Sequence, residues 1–252
     1  SAWGDGTVRI TCSKTGKLVR AIKGHSSRVR CVCLTSDNKY VVSGSCDRTV
    51  RITLLETGEL FRVIKGHTRL VSSVCVTADN KYVMSSSRDG AIRITLLDTG
   101  ELVRVIKGHT GWVEGVCVTS DNKYVVSGSW DKTIRITRLD TGELVRVIKG
   151  HTDWVRSVCV TSDNKYVVSG SIDRTVRITR LDTGELIRVI KGHTGLITSV
   201  CVSPNQHQII AGCDDGTIHV FWTPSYMLKR QWGQVFLCKR QFQLFQKYPG
   251  LI

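Results

Sequence analysis

Histidine and aspartate are the residues of this sequence best equipped for acid–base or metal chemistry, and both recur on a fixed period. Gly24-His25, Gly66-His67, Gly108-His109, Gly150-His151 and Gly192-His193 stand 42 residues apart, as do Asp5, Asp47, Asp89, Asp131, Asp173 and Asp215. A catalytic acid or base is singular, whereas side chains repeated five or six times belong to a frame. His207 and His219 fall outside the repeat, yet neither adjoins a nucleophile motif, a glycine-rich phosphate loop or a metal signature. No enzymatic activity and no cofactor are therefore expected.

The ten cysteines offer the other candidate chemistry. Cys33, Cys75, Cys117, Cys159 and Cys201 come once per repeat inside apolar runs such as Val-Cys-Val, which reads as a buried strand position rather than a disulfide scaffold. Cys31 and Cys33 share one strand face, but no Cys-x-x-Cys pair and no histidine at ligand spacing accompanies them, so no metal is expected. Reduced core thiols imply a cytoplasmic or nuclear, reducing compartment.

The elements that must position these residues are short strands. In 109–150, β-branched segments at 113–119, 124–129, 133–139 and 144–148 are separated by Ser120-Asp121-Asn122, by the turn around Asp131 and by Asp140-Thr141-Gly142. Turn residues every eight to twelve positions exclude helix and predict one four-stranded antiparallel sheet per repeat. Such a sheet, apolar on both faces, must stack on its neighbours, and a ring of sheets removes the exposed ends of the stack. The fold class is thus all-β, a β-propeller. Cations on the outermost strands, such as Arg104 and Lys107, should discourage another chain from adding to the edge.

At 252 residues the chain is six periods long and reads as a single domain, 1–252. Lys and Arg number 36 against 21 Asp and Glu, a net charge of +15 that favours acidic partners. With no apolar run of membrane-spanning length and no signal-peptide pattern, membrane insertion is not expected. The first residue falls in mid-repeat and is not Met, which points to a piece of something longer.

Gly-His, an apolar strand, Ser127-Gly128-Ser129-Trp130-Asp131 and then Thr-Ile-Arg-Ile resemble the WD-repeat propeller family over nearly the whole chain. The resemblance implies that His25, His67, His109, His151 and His193 hydrogen-bond Asp47, Asp89, Asp131, Asp173 and Asp215 in a structural network. One feature departs from it. The Trp-Asp dipeptide is replaced by Thr53-Leu54, Thr95-Leu96, Thr137-Arg138 and Thr179-Arg180, with Phe221-Trp222 in the last repeat. The family network should then end early, and restoring Trp at the four Thr positions is expected to raise stability.

Ring closure is the weakest part of the pattern. Residues 7–11 and 18–22 read as the last two strands of a blade whose first two must come from elsewhere, and the family resemblance assigns them to the C-terminus. The irregular 234–252 segment, with possible strands at 235–238 and 242–245, is the candidate. Six blades are favoured; a fragment of a seven-bladed or longer array is the alternative.

Differences between repeats separate frame from surface. Residues 109–150 and 151–192 differ at seven positions, and the four contrasts with chemical content are Gly111/Asp153, Glu114/Arg156, Gly115/Ser157 and Trp130/Ile172. All four follow Gly-His or precede the turn Asp, segments that share one face of a propeller. The diversified face gathers Arg28, Arg30, Arg69, Arg88, Trp112, Glu114, Trp130, Trp154, Arg156 and Ile172. Trp and Arg are the types enriched at interface hot spots. The expected function is a non-catalytic scaffold binding a protein or peptide, acidic or phosphorylated, on this face. Nucleic-acid binding through its basic and aromatic surface is the alternative.

Overall fold

The structure, a computed structural model, describes residues 4–224 and 236–237. A two-stranded sheet, Val8–Thr11 with Leu18–Ile22, comes first, followed by four four-stranded antiparallel sheets over 29–64, 71–106, 113–148 and 155–190. A fifth sheet joins 197–222 to 236–237. In the third sheet the strands are Val113–Val118, Tyr124–Ser129, Ile134–Arg138 and Leu144–Ile148, each within a residue of the sequence expectation.

The first strands of successive full sheets lie side by side, sheet one against two, two against three, three against four and four against five. Apolar side chains from facing sheets fill the space between them. Ile92 and Ile94 of sheet two, for example, pack with Val113, Val116 and Val125 of sheet three. The two-stranded sheet packs on sheet one in the same manner, through Val8, Ile22, Val29 and Val41.

Polar stitches at two levels fix the angle between sheets. On one side, Asn80, Asn122 and Asn164 turn the chain at φ near 57° and accept the N–H of Ser36, Ala78 and Ser120 from the preceding sheet at 2.8, 3.0 and 2.9 Å. Asn tolerates this left-handed conformation and has an amide oxygen to spare, which explains why the turn barely varies between repeats. At the rim, Arg104 donates to the carbonyls of Asp140 and Thr141 in the next sheet, Arg146 to that of Asp182, and Arg20 to that of Thr57. These outer-strand arginines are clamps between sheets and not merely edge charges.

Phe236–Leu237 pairs with Ile218–Trp222 and so is the fourth strand of the fifth sheet, not a partner of residues 7–22. Val220 meets Phe236, six positions later than the repeat spacing would place its partner. The expected strand at 242–245 lies outside the described residues.

Candidate functional site

Each of the first four sheets holds one buried relay. His25, His67, His109 and His151 contact Asp47, Asp89, Asp131 and Asp173 through Nδ1 at 2.7–2.8 Å, and Ser43, Ser85, Ser127 and Ser169 through Nε2 at 2.8–2.9 Å. A carboxylate only accepts, so Nδ1 carries the proton and Nε2 accepts from the serine hydroxyl. The order Asp, His, Ser is that of a hydrolase triad, but all four serines are buried and no substrate can reach them. The relay instead ties the loop before each sheet to the turn within it. Burial alone would raise the Asp carboxyls; hydrogen bonds from His, from Thr133 or Thr175 and from backbone N–H groups outweigh it, holding Asp89 at about 2 and Asp131 and Asp173 well below the ordinary range.

The fifth sheet breaks this arrangement, and the expected His193–Asp215 bond does not form. Ala211 stands where the relay serine should be, Cys213 replaces the next serine, and His219 replaces the arginine of 51, 93, 135 and 177. His193 Nδ1 lies 3.9 Å from Cys213 Sγ, and its buried Nε2 has no hydrogen-bond partner among the described residues. Asp215 turns instead to Thr194 and Thr217. Burial, with the neighbouring His219 imidazole as a second cause, pushes His193 down to about 4.

Within each sheet the loop after Gly-His and the residue before the turn Asp lie together. The residue before each turn Asp bonds the backbone of the loop after Gly-His, as Trp130 N–H does to Trp112 O at 2.9 Å and Ile172 N–H to Trp154 O at 3.1 Å. Among these residues the Arg88 guanidinium lies 4.4 Å over Trp112, Trp112 tilts against Trp130 at 4.0 Å, and Trp130 stacks on Trp154 at 3.4 Å. Four side chains from sheets two, three and four thus form one continuous half-buried stack. Beside it lies a concavity of about 450 Å³ lined by Cys46, Arg48, Thr68, Arg69, Leu70, Arg88 and Trp112.

Glu114 is a correction to the sequence reading. It is only 5% exposed and sits beneath the face, 2.9 Å from Arg88 and 3.4 Å from Arg30. A buried carboxylate between two arginines positions them rather than meeting a partner. Arg28 and Arg69 are exposed, whereas Arg156 and Ile172 are half-buried on sheet four and Arg156 takes no part in the stack. Cys46, Arg48 and Leu70 escaped selection because the concavity they line is made by neighbouring sheets.

The model described as WD domain, G-beta repeat matches residues 16–53, 58–95, 100–137, 142–179 and 184–221. The chain belongs to the WD40 repeat family. No curated protein matches it. Each matched stretch begins at the turn glycine just before the last strand of one sheet and ends on the third strand of the next, so every WD40 repeat staples two neighbouring sheets.

Within this family frame the missing Trp leaves less room than its size suggests. Thr95 Oγ1 bonds Val83 O at 3.2 Å, and the relay stops at the serine. Around Thr137 there remains a cavity of about 20 Å³ bounded by His109, Ser127, Arg135 and Leu144, space for about one water. The Arg135 guanidinium lies against Gly108, whose φ of 139° and lack of a side chain admit it. Arg51, Arg93 and Arg177 repeat this against Gly24, Gly66 and Gly150. The fifth sheet makes the opposite exchange, with buried Phe221 at the Thr position and the shorter His219 at the Arg position. Thr goes with Arg and Phe with His, a trade of volume between neighbours, so Trp added alone would be overpacked.

Proposed function

We propose that this chain is a non-catalytic protein-interaction scaffold whose partner is an acidic or phosphorylated peptide. WD40 repeats commonly serve as protein-binding scaffolds. The observation that carries the finer reading is the Arg88–Trp112–Trp130–Trp154 stack running across three sheets beside the arginine-lined concavity. Rigid rings ordered before binding lower the entropic cost of docking, and Arg48 and Arg69 at the rim offer planar, bidentate donors for carboxylate or phosphate. The net charge of +15 steers such a partner inward.

Single-stranded nucleic acid fits less well. Trp130 and Trp154 already spend ring faces on each other, so bases would have to separate them before stacking. We further propose a six-bladed ring over 1–252, in which the sheet of 8–11 and 18–22 is half of the sixth blade; its packing on sheet one supports this. Nine free cysteines among the described residues support a reducing compartment.

Tryptophan fluorescence tests the docking face. A Glu-rich phosphoserine peptide should quench it, a Lys-rich scramble should not, and Arg48→Glu with Arg69→Glu should weaken the response about 10-fold or more. Equal response to both peptides, or an unchanged response in the double variant, would overturn the reading.

A further inference from the structure

Three departures from the repeat coincide in the fifth sheet and place three metal-ligating side chains together. His193, Cys213 and His219 each offer a ligand atom, all within 4.8 Å of one another, and all three residues are buried at 6, 8 and 5% exposure. Nothing in the frame requires this grouping. In sheets one to four the corresponding positions hold a relay histidine, a serine and an arginine. The relay histidine there is engaged on both ring nitrogens, whereas the buried His193 Nε2 has no partner among the described residues. Replacing arginine by His219 also uncovers one side of the cluster. Among the described residues a Cβ on Gly192 would meet nothing within 4 Å, while at Gly24, Gly66, Gly108 and Gly150 it would strike the arginine. The space that the arginine fills in the other sheets is left open beside Gly192.

We propose that His193, Cys213 and His219 form a three-ligand site for a divalent transition metal, zinc by its donor set, with water in the fourth position. Two imidazoles and one thiolate suit a borderline-soft ion in tetrahedral geometry and are poor ligands for magnesium or calcium. On binding, the Cys213 thiol gives its proton to solvent as the metal–sulfur bond forms, with no change of oxidation state. Asp215, released from the histidine, adds negative charge close by that offsets the ion. The sequence spacing hides the site because its ligands come from the loop before the sheet and from its second and third strands.

The test is cobalt(II) titration of the reduced, chelator-stripped full chain. One equivalent should give the visible bands of tetrahedral cobalt together with a near-ultraviolet sulfur-to-cobalt band, and zinc should displace it. Cys213→Ser and His219→Arg restore residues that the other four sheets carry, so circular dichroism should show both folded. Each should weaken cobalt binding at least about 100-fold. Cys201→Ser, one strand away, should leave it unchanged. Absence of the sulfur-to-cobalt band in the parent chain, or its persistence in both folded variants, would overturn the proposal.

Discussion

Sheets one to four and the fifth sheet carry the same Gly-His and the same turn Asp, yet only the first four join them. The difference lies in a third residue. Where the hydroxyl of Ser43, Ser85, Ser127 or Ser169 donates to Nε2, the ring is held and its Nδ1 meets the carboxylate; where Ala211 stands, His193 turns toward Cys213 and His219. The family signature therefore marks a frame position, while the bond depends on a serine eighteen residues on. A sheet freed from the relay can hold other chemistry.

The sharpest break of this contrast is to remove the acid from each kind of sheet. Asp131→Ala strips His109, Thr110 and Thr133 of their acceptor and should cost about 3 kcal/mol, lowering the thermal midpoint by roughly 10 °C. Asp215→Ala removes only solvent-exposed bonds from Thr194 and Thr217 and none to a histidine, so it should lower the midpoint by clearly less. Equal losses would mean that the two sheets do not differ as described.

Acid should separate them next. Asp89 is held at about 2, so its contribution is complete above the unfolded value of about 4 and fades as pH falls toward 2. His193 sits at about 4 against about 6.5 unfolded, so the unfolded chain takes up that proton first. Stability from the fifth sheet is then present above about 6.5 and lost as pH falls toward 4. In chelator-treated protein, midpoints measured across pH should show both phases, and His193→Gln should remove only the upper one.

Side-chain volume gives a third comparison. Thr137→Phe in the third sheet should cost about 1–3 kcal/mol by overpacking against Arg135, and adding Arg135→His should recover about half of it. Strict additivity in denaturant melts would contradict the exchange inferred from Phe221 and His219. The smallest effect is Ala211→Ser, which gives His193 Nε2 a partner and should raise stability by about 1 kcal/mol.

The sequence made the strands, the turns and the stacking legible, because period, β-branched runs and Asp-Asn turns are local signals. Trp112, Trp130 and Trp154 were also legible, since near-identical repeats expose what differs. Glu114 was misread as a contact residue because its fate depends on Arg30, two sheets away, and Arg88, one sheet away. The void left by the missing Trp was overestimated because a one-column comparison cannot show Arg135 lying beside it. The cluster of His193, Cys213 and His219 was hidden by strand pairing, which brings distant positions together without any short motif.

The central claim, that the Arg–Trp face of sheets two to four is a docking surface set on an invariant frame, is tested most directly by binding to an array of random peptides made with and without phosphoserine. The account expects the parent chain to retain acidic or phosphorylated peptides, and Arg48→Glu with Arg69→Glu to lose them while keeping its thermal midpoint. Retention of no peptide class, or the same peptides held by the folded double variant, would contradict it.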